Sequence, residues 1–334
     1  MRRLILKSVV AALAMATVGM ASAQISDRTF KMHVTNPKGH PMERGGQKLS
    51  DLVAEKSGGK LKIKVFSGGT LGNDQFCIAG MQAGNIEMVL TNGGIMATFV
   101  KDMAVFDFPF MFDNPKQVDA VLDGPFGKYM HDKLEKVGVV GLGYMELGYR
   151  NMTNSRRPIY KAEDIAGLKL RVIANEVNIE MMKAMGANPV PMAFTELFTA
   201  METRNVDGQE NPISVIDANR FYEVQKYLTL TRHQYNPQSM MISKKVWDQM
   251  SAEEHKIFLD SMVEASKYQR QFVRDYEAGL VDKMKKAGMV VTELPPAELA
   301  KLKQKMIPVI DKLSAPIPET VNMLKAELAK NAGN

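Results

Sequence analysis

Between residues 60 and 66 apolar and basic residues alternate, with Leu61, Ile63 and Val65 on one side and lysines on the other. That is the period of a half-buried strand. Residues 29–34 repeat the pattern with Phe30, Met32 and Val34 on one face, and 86–91 form a third apolar run. Helical spacing fills the intervals. One helix is expected over 42–56, closed by Gly58-Gly59, and another over 74–82, closed by Gly84. A Gly-rich turn, 68–74, precedes the second helix. This β-α-β-α-β order predicts a parallel sheet with helices on both faces. Such sheets bind ligands at the turns that follow their strands, here after Val34, Phe66 and Thr91.

A second unit repeats the order. The pattern predicts a helix over 115–136, strands over 139–147 and 149–153 broken at Gly148, a strand over 168–172, and a helix over 178–185 closed by Gly186. A short strand at Val190, a helix over 194–203 and a strand over 206–209 follow, the last ending at Asn211-Pro212. Residues 253–287 then carry an apolar stripe of Ile257, Met262, Tyr268, Phe272, Tyr276, Leu280 and Met284, with Gly288 as a cap. Unbroken, such a helix would run roughly 50 Å. It reads either as a brace across two domains or as two helices with a kink between them. No fixed-period repeat stands out.

Composition narrows the class. With 334 residues, 45% of them hydrophobic and 24% charged, the chain suits a two-domain globular protein. A single cysteine, Cys77, excludes a disulfide framework and any multi-cysteine metal site. It sits in the second helix beside Phe76 and Ile78, where a buried small hydrophobe is expected rather than a nucleophile. The 26 methionines are expected to fill the core at helix contacts.

The N-terminus reads as an export signal over residues 1–23. Arg2, Arg3 and Lys7 precede an apolar stretch over 8–20, and Ala21-Ser22-Ala23 supplies a small-x-small cleavage site. The apolar stretch is too short for a bilayer, which needs about 20 residues. The general secretory route is favoured over the twin-arginine route, and the periplasm is the expected destination. Removing those three cations from 43 basic residues leaves 40 against 37 acidic ones, too balanced for nucleic-acid binding.

Catalytic signatures are absent: G-x-G-x-x-G, a P-loop, G-x-S-x-G and H-E-x-x-H are not found. None of His33, His40, His131, His233 and His255 pair at metal-ligand spacing. Neither a metal nor another cofactor is implied. Binding is the better-supported class, and an enzyme is not expected.

The informative stretch is 149–212. It holds Tyr149-Arg150-Asn151-Met152-Thr153-Asn154, then Asp164-Ile165-Ala166-Gly167-Leu168-Lys169-Leu170-Arg171-Val172, then Gly186-Ala187-Asn188-Pro189-Val190-Pro191-Met192. Phe194-Thr195-Glu196-Leu197-Phe198-Thr199-Ala200-Met201 and Val206-Asp207-Gly208-Gln209-Glu210-Asn211-Pro212 complete it. In order and spacing this resembles the solute-binding proteins of tripartite ATP-independent periplasmic (TRAP) transporters, the dicarboxylate-binding family. Gly69-Thr70-Leu71-Gly72-Asn73-Asp74, Gln82-Ala83-Gly84-Asn85-Ile86-Glu87-Met88 and Ile242-Ser243 with Trp247 extend the resemblance over the mature chain.

The resemblance implies a periplasmic binding protein-like α/β fold, with two α/β domains around a ligand cleft and a long bracing helix. Domain I would comprise 24–148 plus about 237–270, and domain II 149–236 plus about 271–334. It also implies a strand-borne arginine that clamps a ligand carboxylate, which here matches Arg171. A planar guanidinium offers two parallel charge-assisted bonds that lysine cannot. Pattern alone leaves Arg171 readable as a solvated residue beside Lys169. Arg150 matches a second basic position, Asn211 an asparagine that bonds the same carboxylate, and Phe194 an aromatic packed on the ligand.

The other wall is expected from the first unit, at Asn92, Asp74 and His33. Each has a bland alternative, as a turn residue, a helix cap and a strand histidine respectively. His40, Gln75 and His233 are further candidates. Two arginines facing neutral or acidic groups favour a monocarboxylate with several hydroxyls, such as a uronic or aldonic sugar acid, with a C4-dicarboxylate next. The protein is read as a monomer that delivers this acid to the membrane subunits of a TRAP transporter. An ABC-type binding protein and a periplasmic enzyme acting on a carboxylate are the alternatives.

Overall fold

The structure, a computed structural model, describes residues 25–332. The expected signal segment lies outside the described residues. Strands β1 (Arg28–Val34), β2 (Leu61–Phe66) and β3 (Met88–Asn92) pair in parallel in the order β2-β1-β3. The alternation in β2 is realised: Leu61 and Ile63 are buried while Lys62 and Lys64 face solvent. The helices Pro41–Lys56 and Asp74–Ala83 connect these strands. Gly84, at φ +85°, ends the second helix in the left-handed conformation that only glycine adopts without strain.

Two long strands join the halves. β4 (Val139–Asn154) and β8 (Tyr227–Ser243) run antiparallel along nearly their whole length, about 50 Å at the usual rise per residue. β3 pairs with β8, and β7 (Gly208–Asn211) pairs with β4, both antiparallel. β5 (Lys169–Val172) runs parallel to both β7 and β6 (Asn188–Pro191). One mixed sheet results, ordered β2-β1-β3-β8-β4-β7-β5-β6, with β9 (Val290–Glu293) alongside β8. The parallel pairing expected from the β-α-β order holds within β2-β1-β3 and within β7-β5-β6 and recurs between β8 and β9, whereas the centre of the sheet, β3-β8-β4-β7, is antiparallel.

Other differences have local causes. The break expected at Gly148 is a bulge: the register shifts between Glu146 and Gly148, the glycine sits at φ +113°, and the strand continues. The helix expected over 115–136 splits into Pro115–Leu122, Pro125–Asp132 and a 3-10 turn. Pro125 cannot continue a helix but can begin one. The helix expected over 194–203 is a short 3-10 turn followed by Leu197–Glu202. β8 has no counterpart in the sequence pattern, because its centre, from Thr231 to Gln238, is polar on both faces.

The long helix is Ala252–Glu277, about 39 Å. Ala278 leaves helical geometry and Gly279 turns at φ +83° before a second helix, Leu280–Lys286. The kink and the brace are therefore both present. The long helix packs on Pro41–Lys56, on β4 and on Ile213–Ala218 of the second half. Close approach requires Gly45, where a Cβ would fall 2.5 Å from Gln269 Cγ. Arg270 binds Asp123 through both nitrogens (2.7 and 2.8 Å), and Arg274 binds Asp119 and Glu146. Tyr268, placed in the buried stripe by spacing, is 40% exposed.

The C-terminal helices part company. Pro296–Ser314 lies on Glu176–Ala184 in the second half, whereas Pro318–Lys330, expected with the second domain, lies on Pro115–Leu122 and Pro125–Asp132 of the first. Methionines fill tight places in the core; Met32, for example, reaches over Gly46, where a Cβ would come within 3.0 Å of its sulfur. Cys77 is buried, and burial first, then the nearby Asp74 charge, pushes its thiol up to about 12. Among the described residues no helix is long and apolar enough to cross a membrane.

Candidate functional site

The strands deliver their ends to one place. The turn after β1 brings Thr35 and Asn36, and the helix start after β2 brings Asn73, Asp74 and Gln75. The end of β3 brings Thr91 and Asn92, β5 brings Arg171, and β7 brings Asn211. The long strands contribute Leu147 and Arg150 from β4 and Asn236 and Gln238 from β8, beside Phe194. Together they enclose a cavity of about 100 Å³ between the two halves. This is the carboxyl-end location of ligand sites in α/β sheets. At its rim the halves touch: a Cβ on Gly69 would fall 2.9 Å from Thr195 Cγ2.

Arg171 is buried in the wall, held between β6 and β7. Its Nε and Nη2 donate to the Met192 carbonyl at 3.0 and 2.7 Å. Its Nη1 is buried and has no partner among the described residues, and no acid forms an ion pair with it. Burial, helped by the Arg150 charge, lowers the guanidinium to about 10, which leaves it cationic at neutral pH. A desolvated cation with no ion-pair partner among the described residues is costly, and an anion placed beside it would relieve that cost. The Phe194 ring centre is 5.9 Å from Arg171 Cζ.

Arg150 is also buried, but its charge is answered within the protein. Nε bonds Glu210 Oε2, while Nη2 reaches Glu210 Oε1 at 2.8 Å and the Glu210 carbonyl at 2.5 Å. His233 Nε2 lies 3.3 Å from the same carboxylate. Burial alone would raise the Glu210 carboxyl, yet Arg150 and His233 hold it at about 2. Asn211 donates to Gln209 Oε1 at 2.5 Å, in a chain that continues through Thr153 to Gln225.

The facing wall is different. Asp74 accepts from Thr35 Oγ1 at 2.5 Å, and His33 Nε2 lies 3.3 Å away. Burial opposes its ionisation, but the contacts from His33, Thr35 and Thr91 hold its carboxyl below the usual range. It is not the helix cap; Asn73 fills that role, accepting from Phe76 N at 2.9 Å. His33 does not reach the cavity and lies fully buried behind Asp74. Asn92 reaches the wall, yet both ends of its amide are committed: Oδ1 accepts from Gly94 N at 2.7 Å and Nδ2 donates to Asp107 at 3.0 Å.

Of the residues expected from sequence, six line the cavity: Arg150, Arg171, Asn211, Phe194, Asn92 and Asp74. Gln75 joins them, while His40 caps the helix Pro41–Lys56. Sequence reasoning missed Asn36, Asn236, Gln238, Glu210 and Asp107. The one legible signal was the amide-rich run Gln234-Tyr235-Asn236-Pro237-Gln238 between two apolar segments. No group of three or more histidine, cysteine or acidic side chains able to hold a metal occurs among the described residues.

Comparisons with known proteins agree with this geometry. Residues 32–316 match the family described as bacterial extracellular solute-binding protein, family 7 (DctP). The chain is 40% identical over 249 residues, 74% of its length and 76% of the relative's, to the 2,3-diketo-L-gulonate-binding periplasmic protein YiaO of Escherichia coli. It is similar to the crystal structure of a TRAP periplasmic solute-binding protein from Ochrobactrum anthropi whose C-terminus is bound in the ligand-binding pocket. The identity there is 49% and the TM-score 0.83, covering 92% of this chain and 97% of the other. It is also similar to the sugar acid binding protein DctPAm of Advenella mimigardefordensis in complex with galactonate, at 39% identity and TM-score 0.90, covering 92% and 99%.

Proposed function

This chain belongs to family 7 of the bacterial extracellular solute-binding proteins, the periplasmic binding proteins of TRAP transporters that bind organic acids, and from that premise we propose that its ligand is a polyhydroxylated monocarboxylate of the sugar-acid class. Relatives and fold are those of binding proteins rather than enzymes. The carrying observation is the contrast between the two arginines on the wall. Arg171 has a buried, unpartnered N–H, whereas Arg150 is neutralised by Glu210. One carboxylate is therefore called for, seated on Arg171 with Asn211 and Phe194 beside it. A second would meet Asp74, and among the described residues no other unpaired cation lines the cavity. Amides and threonines on that side suit hydroxyls. The relatives named for a diketo-gulonate and for galactonate point the same way.

In this reading the two lobes close on the acid, with bending in β4, in β8 and at the end of the long helix. The ligand drives closure because it touches both walls. The closed form is what the membrane subunits of the transporter receive. The protein acts in the periplasm as a monomer, exported by residues 1–23. A melting-shift screen against aldonates, uronates, keto-gulonates and C4-dicarboxylates tests the assignment, since a ligand that binds only the folded state raises the midpoint. A sugar acid is expected to give the largest shift. Succinate or malate exceeding every sugar acid would overturn the ligand class.

A further inference from the structure

Behind the cavity lies a fully buried carboxylate, Asp107, that no cation contacts directly among the described residues. Four side-chain amides hold it. Oδ1 accepts from Asn92 Nδ2 at 3.0 Å and Asn236 Nδ2 at 3.3 Å. Oδ2 accepts from Asn175 Nδ2 at 2.6 Å and Asn178 Nδ2 at 2.9 Å. Gln234 Nε2 donates to the Asp107 carbonyl and, at 3.2 Å, to Asn178 Oδ1. The donors come from β3, from β8 and from the start of the helix Glu176–Ala184, so the carboxylate ties together both halves and the strand that joins them. Gly94 is required beside it, since any Cβ there would collide with the carboxylate.

A carboxylate with two donors on each oxygen has its acceptor sites filled. Burial pushes the Asp107 carboxyl above its usual range, a rise that the amides and the Arg150 charge only partly offset. Every amide around it must turn its NH2 inward and its oxygen outward. The outward oxygens are then answered in sequence. Asn92 Oδ1 accepts from Gly94, Asn175 Oδ1 from Asn178, and Asn178 Oδ1 from Gln234. Asn236 Oδ1 accepts from Gln238 Nε2 at 2.9 Å. The relay through Asn178 ends on Gln234, whose Oε1 is buried without a partner away from the cavity lining, and only the relay through Asn236 ends at the cavity itself. Gln238 lines the cavity, and no donor reaches its Oε1 among the described residues.

We propose that Asp107 is a positioning residue for specificity: through Asn236 it fixes the Gln238 amide with its oxygen towards the ligand, so that this wall accepts hydrogen bonds from hydroxyls and rejects a second carboxylate. The inference rests on the cavity being the organic-acid site described above. Its physical basis is that a buried acceptor left facing another acceptor loses a bond and keeps the desolvation cost.

The test compares D-galactonate with galactarate, the same carbon chain carrying a carboxylate at each end, by calorimetry. The wild type is expected to prefer galactonate by roughly tenfold or more, the scale of one hydrogen bond to a charged group. Asp107→Asn is nearly isosteric but places an NH2 among the donors, so the amides must reverse. The preference should then fall by about the same factor. Gln238→Met removes the acceptor directly and should lower the preference equally. The double variant should shift it no further, because both changes act on one acceptor.

A folded Asp107→Asn protein that weakens both acids alike, with the ratio intact, would show a merely structural role and overturn the inference. If Asp107→Asn does not fold, an unchanged ratio in Gln238→Met overturns it as well. A wild type that binds galactarate as tightly as galactonate overturns the inference and leaves the organic-acid site standing. A wild type that binds neither acid overturns the sugar-acid reading, and this inference with it.

Discussion

The two walls of the cavity are built on opposite electrostatic plans. On the wall from the second half, Arg171 keeps a desolvated N–H with no acceptor among the described residues, and the other arginine of that wall, Arg150, is paired with Glu210. On the wall from the first half, the charges are anionic: Asp74 at the surface of the cavity, contacted by Thr35 and His33, and Asp107 beneath it, held by four side-chain amides. One wall lacks a partner and so demands an anion. The other has its carboxylates answered internally and so can only choose among anions. In the proposed reading, the contrast assigns affinity to one half of the chain and selectivity to the other.

Removing the demand should have the largest effect. Arg171→Ala is expected to weaken binding more than a hundredfold, since a buried carboxylate losing its charged partner forfeits about 3–5 kcal/mol at about 1.4 kcal/mol per decade. Arg171→Lys should recover little, because the fork geometry is gone. Without ligand the Arg171→Ala protein should melt no lower than wild type, as an unpaired buried charge has been deleted. Calorimetry and melting curves on the same samples check both halves of this statement.

Arg150 should behave in the opposite way. Its removal strands the Glu210 carboxylate, so Arg150→Ala should destabilise the ligand-free protein by about 3–5 kcal/mol, read as a lower denaturation midpoint. If Arg171→Ala and Arg150→Ala proved equally destabilising without ligand, the distinction between the two arginines would be lost.

The pair also predicts an acid limb. Glu210 is depressed from 4.5 to about 2 in the folded protein. A depressed carboxylate contributes stability that is present above its unfolded value and lost as pH falls through the folded one. Stability should therefore decline between pH 4.5 and 2, and Glu210→Gln should flatten that part of the profile in urea titrations taken at each pH.

Changes on the choosing wall should be smaller and selective. Asp74→Asn is expected to improve dicarboxylates relative to monocarboxylates by roughly tenfold, the order of one nearby charge, without abolishing sugar-acid binding. Smallest of all, Gly69→Ala should weaken binding a few-fold, by strain at φ +67° and by contact with Thr195 Cγ2 across the rim. Thr195→Ser, which removes that methyl, should restore part of the loss if closure brings the two together. Affinities of the single and double variants measure this directly.

Local pattern carried much of the fold into view. The strands around Phe30 and Ile63 and the helices closed by Gly84 and Gly186 obey periods that burial on one face imposes on any sequence, while the strands around Leu90 and Arg171, buried on both faces, stand out as short runs. The family motifs pointed to Arg171, Arg150, Asn211 and Phe194 because they are contiguous in sequence. What remained hidden was non-local. β8 is polar at its centre because it passes under the cavity, so burial there follows hydrogen bonding and not hydrophobicity. Gly148 reads as a break in any one-dimensional pattern, and only the partner strand turns it into a bulge. Nothing in the chain near residue 150 says that its guanidinium is neutralised by residue 210, or that an aspartate at 107 gathers amides from 92, 175, 178 and 236. By itself the sequence determined which elements form and which residue types are available to hold an acid. Only the tertiary structure decided which charges are spent, because a charge is cancelled by what lies beside it in space.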